Sequence, residues 1–183
     1  ATISAAHPEV TFVFQADPLG TGHAATIAAD ALASQADVRG ALITMGDKIT
    51  RPEIVRALIE RYRRSLADVV MSTLPKTSDS TAGRVVTNSD GHVLGIVEKA
   101  DVDRARKRRE KITLGEHSYT ANRLEKECDS VNASLYLFQF HRLREVLCQI
   151  HSNNAQGELY LTDTIGLLAK NGHVETLRVD DPD

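Results

Sequence analysis

Tryptophan is missing from the 183 residues, and cysteine and methionine occur only twice each. Aromatic residues make up 4% of the chain, which leaves little for the base stacking that single-stranded nucleic-acid grooves depend on. Cys128 and Cys148 lie far apart, form no CxxC pair and have no clustered histidines beside them. That spacing argues against a zinc site and for reduced, structural thiols. No apolar run nears the roughly 20 residues of a membrane span. The opening ATISAAHPEV has neither the basic n-region nor the continuous apolar h-region of a secretory signal. Neither sign of charge dominates: 22 basic against 25 acidic residues give a formal net charge of −3, so neither nucleic acid nor an anionic membrane is an expected partner. Together these absences point to a cytoplasmic protein. No internal repeat is visible.

Hydrophobic residues at 42% and charged residues at 26% suit one soluble domain with a real core. Its organising stretch is Val10 to Ser34. Val10, Phe12, Val13 and Phe14 form an apolar run of strand type, residues Asp17 to Gly22 carry a turn, and an alanine-rich helix follows from His23. First-turn N–H groups lack intrahelical partners and the macrodipole favours anions there. Gly20 and Gly22 admit a ligand to the backbone. Thr21 adds a hydroxyl, and Gln15 an amide suited to the edge of a nucleobase. The pattern is neither a P-loop nor a dinucleotide fingerprint, so an α/β turn that binds nothing remains open on these residues alone.

Farther along, residues 40–45 read as a buried strand closing in Gly46-Asp47. A carboxylate at a strand's carboxyl end lies where open α/β sheets place their ligands. Asp47 is therefore a candidate Mg²⁺ ligand, because that ion takes one or two carboxylates and fills its shell with water and phosphate oxygens; the other reading is a helix cap. Thr50, Pro52 and Glu53 open a helix to Arg64 with Ile54, Leu58, Ile59 and Tyr62 on one face. Asp68 to Thr73 is a second buried strand. Two apolar runs around Asn88-Ser89-Asp90-Gly91 form a β-hairpin, preceded by Gly83 and ending in Glu98, a second acid placed like Asp47. Residues 101–127 are polar and rich in arginine and lysine, notably Arg104 to Lys111. Without interleaved aromatics, a solvated helix face outweighs a nucleic-acid site. A strand from Ser130 to Phe138 carries Asn132 near its start. A helix near 140–150, a helix ending at Asn171-Gly172 and a strand from His173 to Val179 complete the chain. Such alternation predicts an α/β sandwich around a mainly parallel sheet.

Four stretches resemble the bacterial N-acetylglucosamine-1-phosphate uridylyltransferases, within the sugar nucleotidyltransferases: residues 15–24 (QADPLGTGHA), Gly46-Asp47, Gly83-Arg84 with 95–98 (GIVE), and residues 153–163 (NNAQGELYLTD). The resemblance implies a Rossmann-like, GT-A type three-layer sandwich with a mixed, mostly parallel sheet, formed by residues 1–183 as a single partial domain with a basic insertion at about 101–127. It also implies a reaction of UTP with N-acetylglucosamine 1-phosphate, giving UDP-N-acetylglucosamine and pyrophosphate with Mg²⁺ as cofactor. By the same resemblance, Gln15, Gly20 and Thr21 hold the nucleotide, Asp47 holds Mg²⁺, and Gly83, Glu98, Asn132 and Thr162 line the sugar-phosphate side. Met45 stands where an aromatic is common in the family, and Ala133-Ser134 where Thr-Gly is usual. The family's N-terminal central strand and glycine-rich phosphate loop have no counterpart before Val10. That implies the middle of a catalytic domain, weak or inactive by itself; a homo-oligomer is a further expectation from the resemblance. A non-catalytic nucleotide-sugar binding module, or a transferase for another sugar or nucleotide, are the alternatives.

Overall fold

The computed structural model describes residues 5, 7–34 and 37–180. Six strands build its main sheet: β1 (Gly40–Thr44), β2 (Val69–Pro75), β3 (Arg84–Thr87), β4 (Val93–Val97), β7 (Ser130–Gln139) and β8 (Val174–Arg178). Strands β5 (Lys111–Leu114) and β6 (His117–Thr120) form a separate hairpin. The helices are α1 (Thr21–Ala33), α2 (Pro52–Arg64), α3 (Lys99–Arg108), α4 (Ala121–Glu127), α5 (Phe140–Leu147) and α6 (Asp163–Asn171).

Side-chain alternation along the central strands sorts the core into layers. Val69 and Met71 of β2, with Tyr136 and Phe138 of β7, face α1, α5 and α6 through Ala29, Leu143, Val146, Ile165 and Leu168. Their neighbours Val70, Leu135 and Leu137 point to the other face, where α2 covers them with Leu58, Ile54, Ile59 and Tyr62. A period of two in the strands and of 3.6 in α2 therefore yields the expected three-layer sandwich. Pro52 sits at the first helical position of α2 and Glu53 in its first turn, as the sequence signal required.

The sheet is mixed, in the order β4-β3-β7-β2-β8, with β1 also paired to β7. Strands β1, β2 and β3 each run antiparallel to β7, and β8 runs parallel to β2. Four strands thus point one way while β7 and β4 point the other. Because the reversed strand β7 is central, neighbouring pairs are mostly antiparallel, and the expected mostly parallel pairing holds for strand directions but not for the ladders.

Two further expectations are corrected. Val10 to Phe14 is not a strand: it carries no regular structure, Phe14 is 86% exposed and Phe12 57%. A strand is defined by its ladder, and among the described residues no neighbour pairs with this run, while β1 pairs with β7. The basic insertion is also more than a solvated helix. It folds as α3, the β5–β6 hairpin and α4, and buries Val102, Tyr119, Ala121 and Leu124 against Val86 and Val97. Its charges stay at the rim, where Arg104 pairs with Asp101 and Arg106 with Asp103. No described helix is long and apolar enough to cross a membrane.

Candidate active site

A polar cleft of about 190 Å³ opens where α1, β1, β3, β4, β7 and α6 meet. Each contributes at an end. Thr21 begins α1, Met45 follows β1, Gly83 precedes β3, Glu98 follows β4, Asn132 lies near the start of β7, and Thr162 immediately precedes α6. Five of the residues singled out by sequence, Thr21, Gly83, Glu98, Asn132 and Thr162, are therefore walls of one cavity, although they come from positions 21 to 162.

The walls are fixed by specific contacts. Thr162 Oγ1 donates to Glu98 Oε1 at 2.8 Å, and burial raises the Glu98 carboxyl above its usual range despite that bond. Desolvation disfavours the charged form and outweighs the hydrogen bond from Thr162. Asn132 Nδ2 donates to the buried Tyr136 hydroxyl at 2.6 Å, and its Oδ1 accepts the Ser134 N–H at 2.9 Å. Ser134 has φ 62°. There β7 spends four steps, Tyr136 to Asn132, against two on β2, Met71 to Thr73. This bulge sets the Asn132 amide at the cleft. Gly83 is required by space: a Cβ would come within 2.6 Å of Ile96 Cγ2 and 3.1 Å of both Glu98 carboxylate oxygens. Its strand is anchored by the buried Arg84, whose guanidinium donates to Ala82 O and Ser80 O and pairs with Glu125 of the insertion at 3.0 Å.

The α1 turn is held as firmly. Gly20 takes φ 111°, and a Cβ there would meet Leu159 O at 2.5 Å. Gly22 N–H donates to Leu159 O, Leu159 N–H to Leu19 O, and Leu161 N–H to Thr21 Oγ1. The two motifs at residues 15–24 and 153–163 are thereby clasped together, 140 positions apart for Thr21 and Leu161. Gln15 folds back over this turn: its Nε2 donates to Gly20 O at 3.3 Å and lies 3.0 Å from His23 Nδ1.

Asp47 is exposed in the turn that follows β1, between Met45 and Lys48, and its side chain is not among those lining the cleft. Among the described residues no group of three or more histidine, cysteine or acidic side chains gathers to hold a metal. A single carboxylate beside the cleft still fits Mg²⁺, which favours one or two protein carboxylates with water and phosphate oxygens over an all-protein cage. Sequence reasoning missed Lys48, Ser134 and Tyr136 in the lining. Tyr136 and Ser134 carried a signal, since a period of two puts positions 132, 134 and 136 on one strand face.

An α/β sandwich whose strand ends and helix starts converge on one polar cleft defines a small-ligand domain of the nucleotide-binding α/β class. The chain belongs to the nucleotidyl transferase family, whose sequence model matches residues 2–181. It is similar to the bifunctional protein GlmU of Mycolicibacterium gilvum, 34% identical over 176 residues that cover 94% of this chain and 31% of the relative. GlmU of Synechococcus sp. strain CC9902 is 34% identical over 174 residues, covering 94% and 33%. GlmU of Desulfotalea psychrophila is 32% identical over 161 residues, covering 87% and 41%. The chain thus spans roughly a third of the length of these relatives, and the resemblance read from four short motifs holds at the level of the family.

Proposed function

We propose that the domain serves a sugar-1-phosphate nucleotidyltransferase that joins UTP and N-acetylglucosamine 1-phosphate into UDP-N-acetylglucosamine, releasing pyrophosphate. The observation that carries this reading is the convergence of Gly83, Glu98, Asn132 and Thr162 with Thr21 on one cleft. The Glu98 carboxyl and the Asn132 amide offer an acceptor and a donor–acceptor pair to sugar hydroxyls and an acetamide. Gly83 lets the ring approach the backbone. Gly20, Thr21 and Gln15 lie on the nucleotide side.

In the reaction a phosphate oxygen of the sugar phosphate attacks the α-phosphorus of UTP. A new P–O bond forms while the bond to the bridging oxygen breaks, and pyrophosphate leaves with that electron pair. The nucleophile is already anionic, so no general base is needed. The protein's task is to align two anions and to exclude other geometries. Asp47 would hold Mg²⁺, which supplies charge neutralisation on the phosphates. The clasp between residues 19–22 and 159–161 keeps the nucleotide and sugar walls at a fixed separation.

The test is Mg²⁺-dependent pyrophosphate release from UTP and N-acetylglucosamine 1-phosphate, with Asp47→Ala and Asn132→Ala as controls. Turnover lost in both variants supports the reading. Binding of UDP-N-acetylglucosamine without any turnover in the complete protein would instead indicate a non-catalytic nucleotide-sugar module.

A further inference from the structure

We propose that Lys48 is the cation that receives the phosphate group of the sugar 1-phosphate, an assignment that rests on the function proposed above. Among the described residues lining the cleft, Lys48 is the one basic side chain and Glu98 the one carboxylate. A sugar phosphate seated against Glu98 and Asn132 would bring a dianion beside a carboxyl, and among the described residues that line this cleft Lys48 is the cation. The other cations close by are committed elsewhere. Arg84 is buried on Glu125 and two carbonyls, Lys76 binds Glu125, and Arg104 pairs with Asp101 at 3.0 Å.

Lys48 is different. Its backbone N–H donates to Met45 O at 3.2 Å and closes the turn after β1, so the stem has a fixed origin. Among the described residues no hydrogen bond or ion pair engages its ammonium. The side chain also lines the adjoining cavity with Thr50 and Ser72, and the two cavities share Ala82 and Asn132. Lys48 therefore belongs, with Asn132 and Ala82, to the wall that the two cavities share. A compact ammonium on a flexible four-carbon stem matches a tetrahedral phosphate as a point charge, without the planar demand of a guanidinium. The adjacent Asp47 adds a second function to the same turn: one residue for the metal, the next for the anion.

The test is steady-state kinetics with Lys48→Met and Lys48→Arg in the protein, together with calorimetric titration by N-acetylglucosamine 1-phosphate. Lys48→Met is expected to raise KM and Kd for the sugar phosphate about 10- to 100-fold, the range for losing one charge-assisted contact. KM for UTP should stay within about twofold, Lys48→Arg should recover most of the loss, and the advantage of wild type should shrink as salt screens the contact. Unchanged sugar-phosphate constants in Lys48→Met, or a rise confined to UTP, overturns the proposal. A wild type that binds the sugar phosphate but releases no pyrophosphate defeats the transferase reading alone, and the Kd comparison still decides Lys48. A wild type that binds no sugar phosphate defeats both.

Discussion

Ser134 pays a local penalty to shape the cleft. Its φ of 62° places a residue with a Cβ in the left-handed region, at a cost of about 1–2 kcal/mol. The bond from its N–H to Asn132 Oδ1 partly offsets that strain. Ser134→Gly should therefore raise unfolding free energy by about 0.5–1 kcal/mol, once the greater freedom of glycine in the unfolded chain is included. Ser134→Val should lower it by about 1–3 kcal/mol, because a β-branched residue fits this conformation worst. Urea titration reads both, and equal stability in the two variants would refute the strain. Asp163, one residue past the cleft wall, carries a different kind of tension. Burial, then the charges of Asp101 and Glu98, push its carboxyl up to about 6. The folded state then keeps a proton that the unfolded chain releases near the ordinary value of about 3.9. Between about pH 4 and 6 the folded form binds more protons, so this group makes stability fall as pH rises through that window, and its cost is complete above it. Asp163→Asn should match wild type near pH 4 and exceed it at pH 7.5. A gain of the same size at both pH values would show that packing, not titration, separates them.

At the scale of elements, the insertion is a packed piece of the fold. Leu124 is 1% exposed and sits with Val102 and Tyr119 on Val86 and Val97. Leu124→Ala should cost about 3 kcal/mol, as for other buried leucines, measured by the urea midpoint; a cost below about 1 kcal/mol would mean that the insertion can collapse or detach freely. The hairpin inside it was hidden in the sequence because Lys111–Leu114 and His117–Thr120 offer only Ile112, Leu114 and Tyr119 as apolar residues, too few to reveal a period. The central strands were legible for the opposite reason. Val69 to Met71 and Leu135 to Phe138 are unbroken apolar runs because both faces of the sheet are covered. Val10 to Phe14 has the same look and no ladder, since pairing is a property of a neighbour, which local pattern cannot supply. In the cleft, Gly83, Glu98, Asn132 and Thr162 could be named from motifs, and the sheet brings them together. Lys48 could not, because it sits in a turn, where no strand or helix period says which way a side chain points.

For the molecule as a whole, one flank stands apart from the closed layers. An apolar cavity of about 570 Å³ lies between α1 and β1, lined by Ala24, Ala28, Leu32, Leu42, Met45 and Leu143. Among the described residues β1 pairs with β7 only and Leu42 is 45% exposed, and elsewhere on the surface Phe12 and Phe14 carry open aromatic surface. An apolar flank next to an unpaired strand edge is a template for association, and a net charge of −3 supplies little repulsion against it. The 183-residue chain should therefore bind an apolar dye such as ANS at neutral pH, and sedimentation should show self-association that grows with concentration. Phe12→Lys combined with Phe14→Glu replaces two exposed rings with charges and touches no residue of the cleft. It should lower both signals while leaving the unfolding midpoint nearly unchanged, because surface already in water contributes little to folding. If dye binding persists undiminished in the double variant, the signal comes from the α1–β1 cavity itself, and a second substitution, Leu42→Lys on the strand edge, should remove it. A chain that is monomeric and silent to the dye would refute the flank as an association surface.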